Sequence, residues 1–137
     1  MSDLTELKRK FIVSSTQYDE ERVPKLIERM LKYCKVDDKG RVIFENPDLT
    51  TRERVKAVML AKFLASKLDE NISADMDADD ISTSANIPRD QAIARANEFV
   101  SNKYFMRIGK ARYAIAAFSV DKILNELDSK YGGKNGQ

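Results

Sequence analysis

The sequence of 137 residues contains no histidine, and this absence excludes several kinds of catalytic and metal site. Histidine-dependent catalytic triads, HExxH zinc sites and Cys/His zinc fingers cannot be built from this chain. Glycine is also scarce, and the five glycines form neither a GxGxxG nor a GxxxxGK[ST] phosphate-binding loop. The carboxylates, lysines and tyrosines that remain form no recognisable catalytic set. We therefore expect no enzymatic activity and no bound cofactor or metal.

Cysteine and long apolar runs are nearly missing as well. The single cysteine, Cys34, cannot form an internal disulfide, which agrees with a reducing cytoplasm. We expect it to fill the core from the apolar face of a helix, with a reactive thiol as the alternative. No apolar run is long enough to span a bilayer, and the start "MSDLTELKRK" lacks the apolar core of a signal peptide. The chain is thus expected to be cytoplasmic, without a membrane partner.

Charge is abundant, but little of it is net charge. The chain carries 24 basic and 22 acidic residues, a net charge of +2. Counted along the sequence, residues 1–48 are neutral, residues 49–80 carry −2 and residues 81–137 carry +4. The C-terminal part is therefore the candidate for binding a negatively charged partner.

Residues 1–48 predict an N-terminal helical extension with a short strand. A first helix would begin at Asp3, which can cap it, and end near Val13. A second would begin at Asp19 and carry a row of apolar residues on one face: Val23, Leu26, Ile27, Met30, Leu31 and Cys34. The segment "RVIFE" (41–45) is typical of a strand. We expect this extension to pack on the rest of the chain. Packing on a second copy is one alternative, and addition of the strand to a C-terminal sheet is another.

Residues 49–131 predict a second unit around a central helix. Thr50 and Glu53 have the spacing of a capping box, and the helix they open is apolar around most of its circumference. The acidic stretch 69–80 predicts a solvated loop, because it lacks the glycine and glutamate that a calcium loop requires. A short helix, the turn "ANI", a helix from Pro88 to about Ser101, a hairpin and a final helix capped by Ser119 follow. The helix from Pro88 has an apolar face and an opposite face, which are Ala92, Ile93, Ala96, Phe99 and Val100, and Asp90, Gln91, Ala94, Arg95 and Glu98. The final helix is expected to bury Val120, Ile123, Leu124 and Leu127. Residues 132–137 are expected to be a disordered tail.

The hairpin contains a self-repelling pair if its turn consists of Gly109-Lys110 alone. That register would place Arg107 opposite Arg112 on one face, and like charges directly opposite destabilise a hairpin. Tyr104, Met106, Ile108, Tyr113 and Ile115 would then form the inward apolar face. A phosphate held between the two arginines would turn this repulsion into binding. The alternatives are that both arginines extend into solvent, or that Glu98 or a C-terminal acid neutralises one of them.

The segment "DISTSANIPRDQAIARANEFVSNKYFMRIGKARYAI" resembles the winged helix-turn-helix superfamily, and in particular small archaeal winged-helix proteins of unassigned function. The expected fold is therefore mainly α with a small antiparallel β-hairpin or sheet. The resemblance implies binding of double-stranded DNA, as in a transcriptional regulator, with the second helix of the motif in the major groove. It implies six contact residues: Arg89, Gln91 and Arg95 on that helix, and Arg107, Lys110 and Arg112 on the wing. The alternative is an adaptor that uses the winged helix as a platform for docking a protein partner without binding DNA, and homodimerisation is compatible with either function.

Overall fold

A computed structural model describes residues 4–11 and 20–132, which are mainly helical with two small antiparallel sheets. The described α-helices are α1 (Leu4–Phe11), α2 (Val23–Met30), α3 (Thr51–Leu68), α4 (Ala78–Ala85), α5 (Arg89–Ser101) and α6 (Val120–Leu127). The described strands are β1 (Cys34–Val36), β2 (Val42–Phe44), β3 (Met76–Asp77), β4 (Phe105–Ile108) and β5 (Arg112–Ile115). The predicted mainly helical fold with a small antiparallel sheet is confirmed. The predicted cap at Asp3, the helix end near Val13 and the tail from 133 onward lie outside the described residues.

The central helix is α3, and it begins as the sequence predicts. The Thr50 hydroxyl accepts a hydrogen bond from the N–H of Glu53 (3.2 Å), and the Glu53 carboxylate accepts one from the N–H of Thr50 (2.8 Å). This capping box satisfies two of the N–H groups that a helix start leaves unpaired. Helices α2, α4, α5 and α6 all contact α3. Contacts with four helices agree with the predicted apolar residues around most of α3, although Leu68 at its C-terminal end is 72% exposed.

The second helix is shorter than the sequence predicts. It ends at Met30, so Leu31 and Cys34 do not extend its apolar face. Its buried residues, Val23, Leu26 and Met30, pack towards α3 and α6 within the same chain. Cys34 is buried as predicted, but it lies in strand β1 rather than on a helix. Burial raises the pKa of the Cys34 thiol to about 12, which keeps it protonated and opposes the reactive-thiol alternative.

Strands β1 and β2 form a separate hairpin, so the segment 41–45 does not join the C-terminal sheet. The turn between them has its own stabilising contacts. The Asp37 carboxylate accepts hydrogen bonds from the N–H groups of Lys39 and Arg41, both at 2.9 Å. Gly40 adopts a φ of +84°, which glycine tolerates without strain. This turn favours pairing of β1 with β2 over continuation of α2. The spacing of Cys34 from the apolar residues of α2 predicted a longer helix instead.

The acidic stretch 69–80 is not only a loop, since Met76 and Asp77 form strand β3 on the outer edge of the second sheet. The strand order in that sheet is β3-β5-β4, and both pairings are antiparallel. Asp77 then caps α4, because its carboxylate accepts the N–H of Asp80 at 2.8 Å. Asp79 and Asp80 lie in the first turn of α4, where the helix dipole favours acidic side chains. Helix α5 follows the left-handed residue Asn86, with Pro88 at its N-cap rather than at its first helical position.

The β4–β5 hairpin has a different register from the predicted one. Arg107 lies opposite Tyr113 and Ile108 opposite Arg112, so the loop contains three residues, 109–111. Because side chains alternate between faces along a strand, Arg107 and Arg112 lie on opposite faces. The predicted facing pair and the phosphate clamp between them are therefore wrong. Gly109 adopts a positive φ of +65°, which glycine tolerates in a tight turn.

The one-residue difference also changes which side chains the hairpin buries. Phe105, Tyr113 and Ile115 are buried, whereas Ile108 is 38% exposed. The three-residue loop places these aromatic and β-branched side chains on one face, against α3 and α5. Burial of that apolar face sets the register.

The final helix packs as the sequence predicts but begins differently. Val120, Ile123, Leu124 and Leu127 of α6 are buried. Ser119 stands before it, yet its hydroxyl donates to the carbonyl oxygens of Tyr104 (2.9 Å) and Ala116 (2.8 Å) instead of capping the helix. Gly132 belongs to a π-helical turn after α6, Asp128–Gly132, rather than to the predicted tail.

Candidate nucleic-acid interface

Helix α5 presents one long polar face to solvent. Ala92, Ala96 and Phe99 turn inward and are buried, which leaves the opposite face exposed or half-buried. That exposed face of α5, defined here as Asp90, Gln91, Ala94, Arg95, Asn97 and Glu98, matches the face that the sequence predicts apart from the addition of Asn97. Arg89, Asp90 and Gln91 in the first turn of α5 are exposed, so their side chains can reach a partner.

A cleft of about 570 Å³ lies along one edge of this face, between α5 and the N-terminus of α3. Thr50, Thr51, Arg52, Gln91 and Arg95 line it. The positive end of the α3 dipole and two guanidinium groups therefore meet in one place, an arrangement that favours an anion. The cleft brings together two of the six predicted contact residues.

Glu98 neutralises part of this positive charge. The Arg52 Nε lies 3.1 Å from both Glu98 carboxylate oxygens, and an Arg95 Nη atom lies 3.3 Å from one of them. The Nε of Arg95 is buried and has no hydrogen-bond acceptor among the described residues. Two arginines at the cleft thus share one acid, Glu98, and the Nε–H donor of Arg95 has no acceptor among the described residues.

Arg89 is less available than the sequence suggests. Its Nε lies 2.6 Å from an Asp79 carboxylate oxygen, and the two side chains are 63% and 70% exposed. An ion pair this exposed is weak and easily exchanged for another acid or a phosphate. Arg89 therefore stays at the start of α5 but is paired within the chain.

The opposite edge of the face meets the β4–β5 hairpin through Arg107. An Arg107 Nη atom donates to the side-chain oxygen of Asn97 at 2.5 Å, and its guanidinium carbon lies 5.4 Å from the centre of the Tyr113 ring. The Tyr113 hydroxyl also donates to Asn97, at 3.2 Å. These contacts hold a cation beside α5, and no acid among residues 4–11 and 20–132 forms an ion pair with it. Lys110 at the hairpin tip is exposed, and no described acid pairs with it.

Arg112 faces the acidic stretch instead of the exposed face of α5. Its guanidinium lies 3.0 Å from Asp75, 3.9 Å from Asp77 and 4.0 Å from Asp80. It also donates to the Asp75 carbonyl oxygen at 3.2 Å. The structure thus places this predicted contact residue in an ion-pair cluster that ties β5 to β3 and α4. The neutralising acids come from the stretch before the motif, not from Glu98 or the C-terminus as the alternative prediction had it.

The Arg112 cluster gives a pH-dependent prediction. Hydrogen bonds from Ser73 and then Arg112 lower the pKa of Asp75 below its ordinary value of about 3.9. A lowered folded-state pKa stabilises the protein above the unfolded pKa, and this stability is lost as the pH falls through the folded value. Arg112→Gln should therefore cost up to about 1 kcal/mol at pH 7, since the cluster is partly exposed. The difference from the parent should shrink below about pH 4 in urea melts. A difference that stays constant from pH 7 to pH 3 would contradict this role for Arg112.

Two residues of this interface were missed by the sequence analysis, Arg52 and Asn97. Arg52 gave no local signal, because its partner Glu98 lies 46 residues away in the sequence. Asn97 lies between two residues that were placed on the buried and exposed faces, and only the hairpin register shows that it contacts Arg107.

A scan against models of protein families, a search of curated proteins and a search of solved structures each gave no match to this chain. Within residues 4–11 and 20–132, no helix combines the length and apolar character needed to cross a membrane. In the same residues, no group of three or more histidine, cysteine, aspartate or glutamate side chains is placed to hold a metal ion.

Proposed function

We propose that residues 51–115 form a winged helix-turn-helix unit that binds double-stranded DNA, as a transcriptional regulator would. The order of elements supports this proposal. Helix α3 is followed by the edge strand β3, then by α4 and α5 joined through a tight turn, and then by the β4–β5 hairpin. In a helix-turn-helix protein the second helix of the pair enters the major groove, and this assigns that role to α5.

The observation that carries the proposal is the pair of basic groups flanking the exposed face of α5. Arg107 contacts Asn97 at one edge, and the cleft with Arg52 and Arg95 lies at the other. At about 100° per residue, Gln91 and Arg95 lie roughly 120–160° around the helix from Asn97. A helix inserted in the major groove has a phosphate backbone on each side, so cations are needed at both edges.

The contacts then divide into positioning and sequence-reading groups. Arg107 and Lys110 on one side, and Arg52 on the other, would meet phosphates and set the position of α5. Gln91 is exposed near the start of α5 and can make a bidentate contact with adenine, while Arg95 can do so with guanine. Releasing Arg95 and Arg52 from Glu98 has a modest free-energy cost, because these side chains are partly exposed. Asp90 on the same face would repel phosphates and restrict how the helix enters.

A docking function without DNA is the second candidate, and one observation favours it. An apolar groove of about 520 Å³ lies between α2, β1 and the C-terminal half of α3. This groove could receive an apolar helix, as adaptor surfaces do. The two functions differ in salt dependence, because phosphate contacts release counterions and apolar contacts do not.

Replacement of Gln91 tests the base-reading role. Gln91→Ala should reduce discrimination between the preferred duplex and variants at one A·T pair by ~1–3 kcal/mol, because one bidentate contact is lost. The slope of log affinity against log salt should not change, since no phosphate contact is removed. Fluorescence anisotropy with a panel of single-base-pair variants measures both quantities. Equal discrimination by parent and variant would show that Gln91 reads no base.

A further inference from the structure

Helix α1 carries an apolar stripe that the chain leaves exposed. Leu4, Leu7 and Phe11 recur at three- and four-residue spacing and are 83%, 46% and 89% exposed. Side chains at this spacing share one face of a helix. Large contiguous apolar surface of this kind on a soluble chain usually marks a binding face.

The same chain also has an apolar groove with no described side chain filling it. Ile27 and Leu31 form one wall, Leu64, Ala65 and Leu68 of α3 form the other, and Ile72 lies at one end. Leu31 and Leu68 at its edges are 47% and 72% exposed. A volume of about 520 Å³ accommodates several large side chains.

The charges around these two surfaces are complementary. The groove lining contains one base, Lys35, and three acids, Asp37, Asp38 and Asp69, so it is negative on balance. The sequence of α1 places three consecutive basic residues, Lys8, Arg9 and Lys10, between Leu7 and Phe11. A helix with a net positive charge thus corresponds to an apolar groove whose lining has a net negative charge, which favours association and speeds encounter.

We propose that α1 of a second copy of this chain docks into the groove, and that two copies exchange α1 helices around a twofold axis. Within one chain the apolar stripe of α1 is exposed and the groove is open, so α1 is not docked in the groove of its own chain. Exchange between two copies buries both surfaces twice and closes the assembly, so neither surface is left open for further growth. This exchange is independent of the exposed face of α5, but it fills the groove that a docking function would use, so exchange and docking of another partner there exclude each other. The groove borders the C-terminal half of α3, whereas the cleft with Arg52 borders its N-terminus.

Two variants at already exposed positions test the exchange without endangering the fold. One carries Leu7→Glu and Phe11→Glu on α1, and the other carries Leu31→Glu and Leu68→Glu in the groove. Sedimentation velocity should show the parent as a dimer that dissociates on dilution. Each variant should have a dimer dissociation constant raised at least ~30-fold, the effect of losing one interface hot spot. Ile43→Glu, on an apolar residue that is 49% exposed outside the groove, is the matched control and should leave the dimer intact.

Mixing the two variants separates exchange from the other possible occupants. The α1 variant keeps an intact groove and the groove variant keeps an intact α1, so the mixture should form a heterodimer through one of the two contacts. A monomeric parent whose melting temperature falls in both variants would overturn the proposal in favour of docking within one chain. A monomeric parent with unchanged melting temperatures would overturn it in favour of a different partner. A dimer that neither variant weakens would place the interface elsewhere on the molecule.

Discussion

Replacing Arg107 and Lys110 together with glutamine is expected to weaken binding to duplex DNA of every sequence by roughly 60-fold at 0.1 M salt. Each lost phosphate contact removes about 0.9 from the slope of log affinity against log salt, so the slope should fall by up to about two units. These two cations are chosen because no described acid neutralises either of them, and Arg107 lies beside the exposed face of α5. Anisotropy titrations at several salt concentrations measure both the affinity and the slope.

Arg112→Gln is the matched control for this double replacement. It removes an arginine from the same hairpin, but one that faces Asp75, Asp77 and Asp80 on the other side of the sheet. The control should retain the parent's salt slope while losing a little stability at neutral pH. If the double variant binds duplex as tightly as the parent, or if Arg112→Gln has the larger effect on the slope, the hairpin edge does not contact phosphates as proposed.

Leu60→Ala is expected to produce the largest loss of stability among conservative core changes, about 2–5 kcal/mol. The Leu60 side chain is completely buried in the middle of α3, which four other helices contact. Truncation loses the transfer free energy of the removed methyl groups and leaves a cavity that the close-packed core cannot fully close. Urea unfolding followed by circular dichroism measures the change.

Leu68→Ala provides the same chemical change at an exposed position of the same helix. Leu68 is 72% exposed, so this variant should change the free energy of unfolding by no more than about 0.5 kcal/mol. The comparison is made at a protein concentration where the chain is monomeric, because Leu68 borders the α1 groove. Equal losses for the two variants would mean that α3 is not the buried centre of the fold.

Local signals predicted the start of α3 and the burial pattern of α5 and α6 correctly. A capping box depends on residues three apart, and the Thr50–Glu53 pair forms it without help from the rest of the fold. The apolar spacing of α6 likewise identifies its buried face, because helical periodicity fixes which side chains lie together. Features that depend on neighbouring residues alone could thus be read from the sequence.

The register of the β4–β5 hairpin could not be read in this way. Gly109 accepts positive φ in a two-residue or a three-residue loop, so the turn chemistry did not distinguish them. The choice depends on burial of Phe105 and Tyr113 against the helices, and on pairing of β5 with β3. Those are contacts between distant parts of the chain, and a one-residue error moves Arg112 to the other face.

The candidate interface was predicted by position but not by electrostatic state. The sequence placed Gln91 and Arg95 on an exposed helix face, where the structure also has them. It did not show that Arg89, Arg95 and Arg112 are paired with Asp79, Glu98 and Asp75. The pairs of Arg89 and Arg112 join separate elements and leave no local pattern in the sequence. Of the three predicted cations on the hairpin, only Arg107 and Lys110 therefore lack an acidic partner among the described residues.

Basic groups on both edges of α5 are proposed to bind duplex DNA. A titration of the parent protein with mixed-sequence duplex at 50 and 200 mM salt tests this most directly. With Arg52, Arg107 and Lys110 on phosphates, the affinity should fall by roughly 40-fold over this fourfold change, since three contacts give a slope near −2.7. Failure to bind at 50 mM, or an affinity that is the same at both concentrations, would contradict the account and leave the docking function in its place.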